Sequence, residues 1–291
     1  MTAAAIVQPR FSDRLAERIA HVGAPLCVGL DPVLERLPAE IETADPSAAF
    51  EAFSARLIDA VGTTAAAIKP QSACFERLGW RGVRALERTI GRARDAGLVV
   101  VLDVKRGDIG LSAAHYAAAA RDAGADAVTV SPYMGPSSIE PFLDAGLGVF
   151  ALVRTSNPDS DAVQSVATSD GSSVAERVAR MVAEIGASCT GARGLSDLGA
   201  VVGATKAQDG PALRAAMPDQ VFLVPGIGAQ GGKVEDLRPL VRAGATGANE
   251  SGLLVTASRS VIYPDVEAGE HWTDAARRSA ETLATRLRVL L

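Results

Sequence analysis

Residues Val100-Val101-Leu102-Asp103-Val104-Lys105-Arg106-Gly107-Asp108-Ile109 place two carboxylates and an ammonium group at the end of a run too apolar to be a surface loop. In an extended strand, residues two apart share a face. Asp103 and Lys105 therefore point the same way as Val101, while Val100, Leu102 and Val104 point the other way. Asp108 follows where the strand gives way to a loop. A buried charge is costly unless paired, so such a cluster is either an ion-pair network or a reaction site, and perturbed charges gather at function. A second group of residues suits an anion. Gly226, Gly228, Gly231 and Gly232 let backbone N–H groups approach a phosphate, a helix from about Lys233 offers its positive end, and Arg259 adds a fixed cationic fork.

Those residues need elements to carry them. Short apolar runs alternate with longer stretches of helical period, the pattern of βαβ units with parallel strands. Strands are predicted at 26–30, 65–69, 98–104, 127–130, 149–153, 198–203, 221–224 and near Gly247. Helices are predicted at 48–61, 81–96, 112–123, 174–185, 234–243 and 273–290. Eight such pairs fit a closed (β/α)8 TIM barrel, read as one domain over residues 1–291. Asp31, Lys69, Asp103 with Lys105, Ser131, Thr155 with Ser156, and Pro225-Gly226 all end or follow strands, on the face where barrel enzymes carry their sites. The polar stretch 156–173 reads as a lid or binding loop.

Composition narrows the partner. The 291 residues carry a net charge of −5 spread along the chain, with no basic patch for nucleic acid. No apolar run approaches a membrane span, and residues 1–10 lack the pattern of a secretion signal, so a cytoplasmic enzyme acting on a small molecule is expected. Cys27, Cys74 and Cys189 lie far apart, which argues against a disulfide framework and a zinc site. His21, His115 and His271 are isolated, so no metal is expected. Trp80 and Trp272 are expected to pack against the outside of the barrel.

The motifs resemble a known family. Asp103-Val104-Lys105-Arg106-Gly107-Asp108-Ile109 looks like the Asp-x-Lys-x-x-Asp-Ile signature of the orotidine 5′-phosphate decarboxylases, in their longer bacterial form (type 2). Gly29-Leu30-Asp31-Pro32, Ile68-Lys69-Pro70-Gln71, Thr155-Ser156-Asn157-Pro158, the 225–232 phosphate loop and Ser258-Arg259-Ser260-Val261-Ile262-Tyr263 follow in the family's order. The resemblance implies decarboxylation of orotidine 5′-phosphate to uridine 5′-phosphate and CO2, without cofactor, by a homodimer. It implies that Lys69, Asp103, Lys105 and Asp108 form an alternating charge array, with Asp108 and Ser112 contributed across the subunit interface. Loss of CO2 leaves a carbanion in the ring plane, which the ring π system cannot absorb, so the protein must supply electrostatics. Lys105 is implied as the group that stabilises this charge and protonates C6. Asp103 would face the substrate carboxylate, and like charges about 4 Å apart at an effective dielectric near 20 repel by roughly 4 kcal/mol.

By the same resemblance, Asp31 accepts from a ribose hydroxyl and Ser156 reads the pyrimidine. Pro225, Gly226, Gln230, Gly231 and Arg259 hold the phosphate, and Ile109 belongs to the substrate-binding set. Gly110-Leu111 stands where the family often has Pro-Asn, which predicts a looser loop. Two other readings use the same residues: a sugar-phosphate aldolase or isomerase, whose usual extra acidic or histidine ligands are not evident, and a catalytically silent sensor of nucleotide phosphates.

Overall fold

Alternation along the strands sorts the buried apolar residues into two separate layers. The structure, a computed structural model, describes residues 9–41, 43–228 and 231–290. Its strands are β1 (Leu26–Leu30), β2 (Ala67–Pro70), β3 (Val99–Arg106), β4 (Ala127–Val130), β5 (Gly148–Arg154), β6 (Ser196–Val202), β7 (Gln220–Val224) and β8 (Leu253–Ala257). All pair in parallel in chain order, and β8 returns to β1 to close the barrel. Cys27, Ala67, Val101, Ala127, Phe150, Val201, Leu223 and Leu254 form the inner layer. Val28, Ile68, Leu102, Val128, Ala151, Ala200, Val224 and Val255 pack outward beneath the helices.

Helix Phe11–Val22, additional to the six predicted helices, stoppers the N-terminal end of the barrel. Phe11, Leu15, Ala16, Ile19 and Val22 recur at helical spacing and join the inner cluster, with the Phe11 ring edge-on to Phe150 at 5.8 Å. Gly23, at φ +74°, ends the helix in the left-handed region that favours glycine. Helix Pro46–Val61 starts with Pro46 in its first turn and the Asp45 carboxylate accepting from the Ser47 amide at 2.9 Å. The helix Trp272–Leu290 packs against helix Pro46–Val61 in the outer layer, with Trp272 stacked on Phe53 at 5.3 Å.

Three expectations need correction. The eighth strand is Leu253–Ala257, after the Ser251-Gly252 turn, whereas Gly247 precedes a short 3-10 turn at Ala248–Glu250. The segment from Val234 is a 3-10 helix ending at Leu240, because Pro239 lacks the amide that would extend an α-helix. Trp80 is exposed and lies beneath the Arg81 guanidinium, away from the barrel wall.

Gly148 shows how tightly the closed end is packed. A Cβ there would lie 2.1 Å from Phe11 Cδ1. Gly148→Ala is expected to destabilise the fold by about 1–3 kcal/mol, as overpacking does. A urea melt checks this; an unchanged midpoint would contradict the packing account.

Candidate active site

The open end of the barrel holds a cavity of about 480 Å³, within the range for small-molecule sites. Its walls include Asp31, Lys69, Asp103, Lys105, Ser156, Pro225, Gly226 and Arg259. These eight candidates are gathered from the ends of six strands, as inward alternation and strand-end placement predict.

At its floor sits the Asp103 carboxylate. Lys69 Nζ donates to Asp103 Oδ2 at 2.7 Å, and Lys105 Nζ donates to Oδ1 at 2.6 Å. Thr129 Oγ1 donates to Oδ1 at 2.8 Å, and Gln71 Nε2 approaches Oδ2 at 3.4 Å. The four donors match the acceptor capacity of an ionised carboxylate. Burial alone would raise the Asp103 pKa, but the charges and hydrogen bonds of Lys69 and Lys105 outweigh it and bring it down to about 2. Burial likewise opposes the Lys69 ammonium, yet the Asp103 and Asp31 carboxylates carry its pKa above the ordinary value. Below this layer, burial pushes the Cys27 thiol up to about 12, so it stays neutral.

Lys105 has an unusual backbone. Among the described residues it is the only non-glycine with positive φ, at +42°. Such a conformation costs on the order of 1–3 kcal/mol and persists where surrounding structure imposes it. The β3–β4 register is interrupted here, between Leu102 and Arg106. The interruption redirects the chain, so Lys105 returns its ammonium to Asp103 while Arg106 turns outward to Glu76 at 3.2 Å and over the Tyr116 ring. Arg106 thus ties the end of β3 to Glu76 and to helix Gly110–Asp122.

Asp31 Oδ1 is buried and lacks a hydrogen-bond partner among the described residues, which leaves an acceptor at the cavity wall. Ser156 lies in the segment after β5. Its carbonyl accepts from Thr205 Oγ1 at 3.1 Å, and the neighbouring Thr155 amide donates to Gln164 Oε1 at 2.9 Å. Buried Arg154 anchors the same segment through Asp161 at 2.5 Å and Asp209 at 2.6 Å. The first part of the expected lid loop is therefore tied to the barrel.

In the loop after β7, glycine freedom serves a turn that closes on itself. Gly226 and Gly228 have φ of +105° and +75°, and Gly231 one of +89°. The Gly228, Gly231 and Gly232 amides donate to the carbonyls of Gly232, Gly228 and Gly226. These three amides are thus engaged within the loop, contrary to the expectation that they face an anion; Pro225, Gly226 and Ile227 line the cavity. Gly231 does not line it, and Gln230 lies outside the described residues.

Asp108, Ile109 and Ser112 are absent from the walls of their own chain's cavity. Asp108 Oδ1 accepts from the Ile109 amide at 2.8 Å, and Ser112 is exposed on helix Gly110–Asp122. Ile109, Leu111, Tyr116, Tyr133 and Met134, on or beyond the loops that follow β3 and β4, are exposed apolar residues. Gln71, Thr129, Asn157, Gln164, Thr256 and Ser258 also line the cavity, and the sequence reading assigned none of them a role. Thr129, Thr256 and Gln71 share strand parity with inward-facing Ala127, Leu254 and Lys69, which marks them as facing inward without marking a role, whereas Asn157, Gln164 and Ser258 lie beyond the strands.

The described residues contain no cluster suited to hold a metal ion. No helix among them is long and apolar enough to cross a membrane. Comparison with known proteins agrees with the motif order. A relative from Rhodopirellula baltica named orotidine 5′-phosphate decarboxylase is 38% identical, over 96% of this chain and 99% of its own length. Another of that name from Salinispora tropica is 43% identical over 89% and 92%. The structure of Leishmania donovani OMP decarboxylase superposes with a TM-score of 0.77 at 33% identity, over 97% of this chain and 98% of that one. The sequence pattern of the orotidine 5′-phosphate decarboxylase / HUMPS family matches residues 24–268, which span all eight strands and the whole cavity wall, and the chain belongs to that family.

Proposed function

We propose that this chain decarboxylates orotidine 5′-phosphate to uridine 5′-phosphate and CO2, with Lys69, Asp103, Lys105 and Asp108 as catalytic residues and no cofactor. The observation that carries this reading is the Lys69–Asp103–Lys105 array at the floor of a cavity whose opposite wall holds Arg259 and the β7 loop. An aldolase would need a metal or a carbonyl-forming step, and nearly full-length relatives named as decarboxylases favour the first reading.

The chemistry follows from the charges. The C6–carboxylate bond breaks, CO2 leaves, and the electron pair stays on C6 in the plane of the ring. Lys105 Nζ, with 48% of its side chain exposed at the cavity, is the cation able to follow that charge and give it a proton. Lys69 and Thr129 keep their bonds to Asp103 while Lys105 acts. Asp103 repels the departing carboxylate and favours the state in which that charge has moved to C6. We assign the larger share of the acceleration to stabilisation by Lys105, because preorganised charge costs no reorganisation as the bond breaks.

Binding energy comes from the rest of the substrate. Asp31 offers its open oxygen to a ribose hydroxyl, Ser156 meets the pyrimidine, and Arg259 with Pro225 and Gly226 receives the phosphate. Gln230 is assigned to the phosphate by resemblance, and Gly231 would serve it only by a rearrangement that frees its amide from the Gly228 carbonyl. Remote contacts of this kind are used to hold the reacting carbon in place. Asp108, Ile109 and Ser112 serve the site of a second subunit in a homodimer, supported by their position outside their own cavity and by the exposed apolar residues beside them. A cytoplasmic location suits this biosynthetic role.

Purified, chelator-treated protein is expected to remove the orotate chromophore from orotidine 5′-phosphate, with Lys105→Ala inactive. Binding without turnover would favour a sensor, and activity that requires added metal an aldolase-like enzyme. Mixed Lys105→Ala and Asp108→Ala subunits are expected to regain about a quarter of wild-type activity, since half of the random dimers carry one intact site. Exchange of subunits with no recovery would refute the shared site.

The depressed Asp103 pKa has a signed consequence for stability. Its contribution is fully present above the ordinary carboxylate value of about 3.9 and is lost as the pH falls through about 2. Asp103→Asn should therefore be less stable than wild type at pH 5 and converge on it toward pH 2. Urea midpoints at several pH values test this; parallel curves would show that Asp103 has no such coupling.

A further inference from the structure

Thr129 stands on β4, two residues after Ala127, and its side chain enters the cavity wall among apolar neighbours that include Leu152 and Val201. A valine would have the same shape there and would suit the strand equally well. The hydroxyl makes two hydrogen bonds of fixed polarity. It accepts from the Lys105 backbone N–H at 2.9 Å and donates to Asp103 Oδ1 at 2.8 Å. An amide can only donate, so the single hydroxyl proton is committed to the carboxylate.

Both partners sit where the β3 backbone departs from regular geometry. The β3–β4 pairing steps from Leu102–Val128 to Arg106–Val130, and Lys105 lies in the interval with φ +42°. Thr129 holds the amide of that strained residue from the neighbouring strand and orients the oxygen that also receives the Lys105 ammonium. We propose that Thr129 is a positioning residue for the reaction, its hydroxyl fixing at once the backbone that presents Lys105 and the Asp103 carboxylate that the ammonium leaves during proton transfer. The inference rests on the reading of this array as the decarboxylation site.

When the Lys105 proton goes to C6, Asp103 Oδ1 loses its charged donor and keeps the Thr129 hydroxyl. Without that hydroxyl, the part-buried hydrogen bond of the Lys105 amide loses its acceptor and the carboxylate is free to turn toward Lys69. The ground-state contacts of phosphate and ribose lie elsewhere in the cavity, on Arg259 and Asp31. Loss of the hydroxyl should therefore act on turnover more than on substrate binding.

Steady-state kinetics with orotidine 5′-phosphate on Thr129→Val and Thr129→Ser, each checked for folding by circular dichroism, test the proposal. The valine variant is expected to lose roughly tenfold to a hundredfold in kcat with KM changed less than about threefold, the effect of a released Lys105 backbone and a misoriented carboxylate. The serine variant, which keeps the hydroxyl, is expected to stay within about threefold of wild type. A folded valine variant with wild-type kcat overturns the proposal, as does a serine variant as slow as valine. Should valine prevent folding, Thr129→Ala replaces it, with equal rates for alanine and serine overturning the proposal. A wild type that leaves orotidine 5′-phosphate unchanged would instead overturn the functional reading, and this inference with it.

Discussion

A carboxylate taken out of water needs compensation on every side, and the Asp103 carboxylate organises the open end of this barrel. Its two oxygens receive Lys69 from β2, Lys105 from β3 and Thr129 from β4, with Gln71 just beyond β2. Three adjacent strands are thus tied together by one charge. Removing a partner from such a buried pair typically costs about 3–5 kcal/mol, because the remaining charge is left without compensation. The arrangement is weak as a stabiliser and strong as a constraint, since few positions of these side chains satisfy all the bonds at once.

Strand parity carried much of this into the sequence. Val101, Asp103 and Lys105 alternate with Val100, Leu102 and Val104, and the inner and outer clusters divide along that line up to Asp103. Beyond it, a simple alternation fails to describe the backbone: no residue type announces that a lysine will take φ +42°, because the neighbouring strand and the carboxylate impose it. Thr129 was hidden for a related reason. In a run of valine and alanine, threonine fits a buried strand as readily as an active site, and only its two partners distinguish the cases.

Other misreadings have local causes. Helix Phe11–Val22 was legible in its spacing, and its importance came from what it stoppers. The eighth strand lies at Leu253–Ala257 and not near Gly247, because its apolar run begins only at Leu253. Pro239 sat within the helix predicted from residue 234 and limited it to a 3-10 segment. The roles of Asp108 and Ser112 illustrate a different limit: one chain gives their positions, and a role in another subunit's cavity depends on an assembly that strand parity does not describe.

The aromatic stopper gives the molecule a direction. With Phe11 against Phe150 across the closed end, the described cavity lies at the opposite end of the barrel, flanked by the segment after β5 and the loop after β7. Substrate and products then use the same end of the barrel, where size and charge distinguish them. CO2 is small and neutral whereas the nucleotide is bulky and charged, so the cationic wall at Arg259 and the Lys69–Asp103–Lys105 floor distinguish the two products by charge.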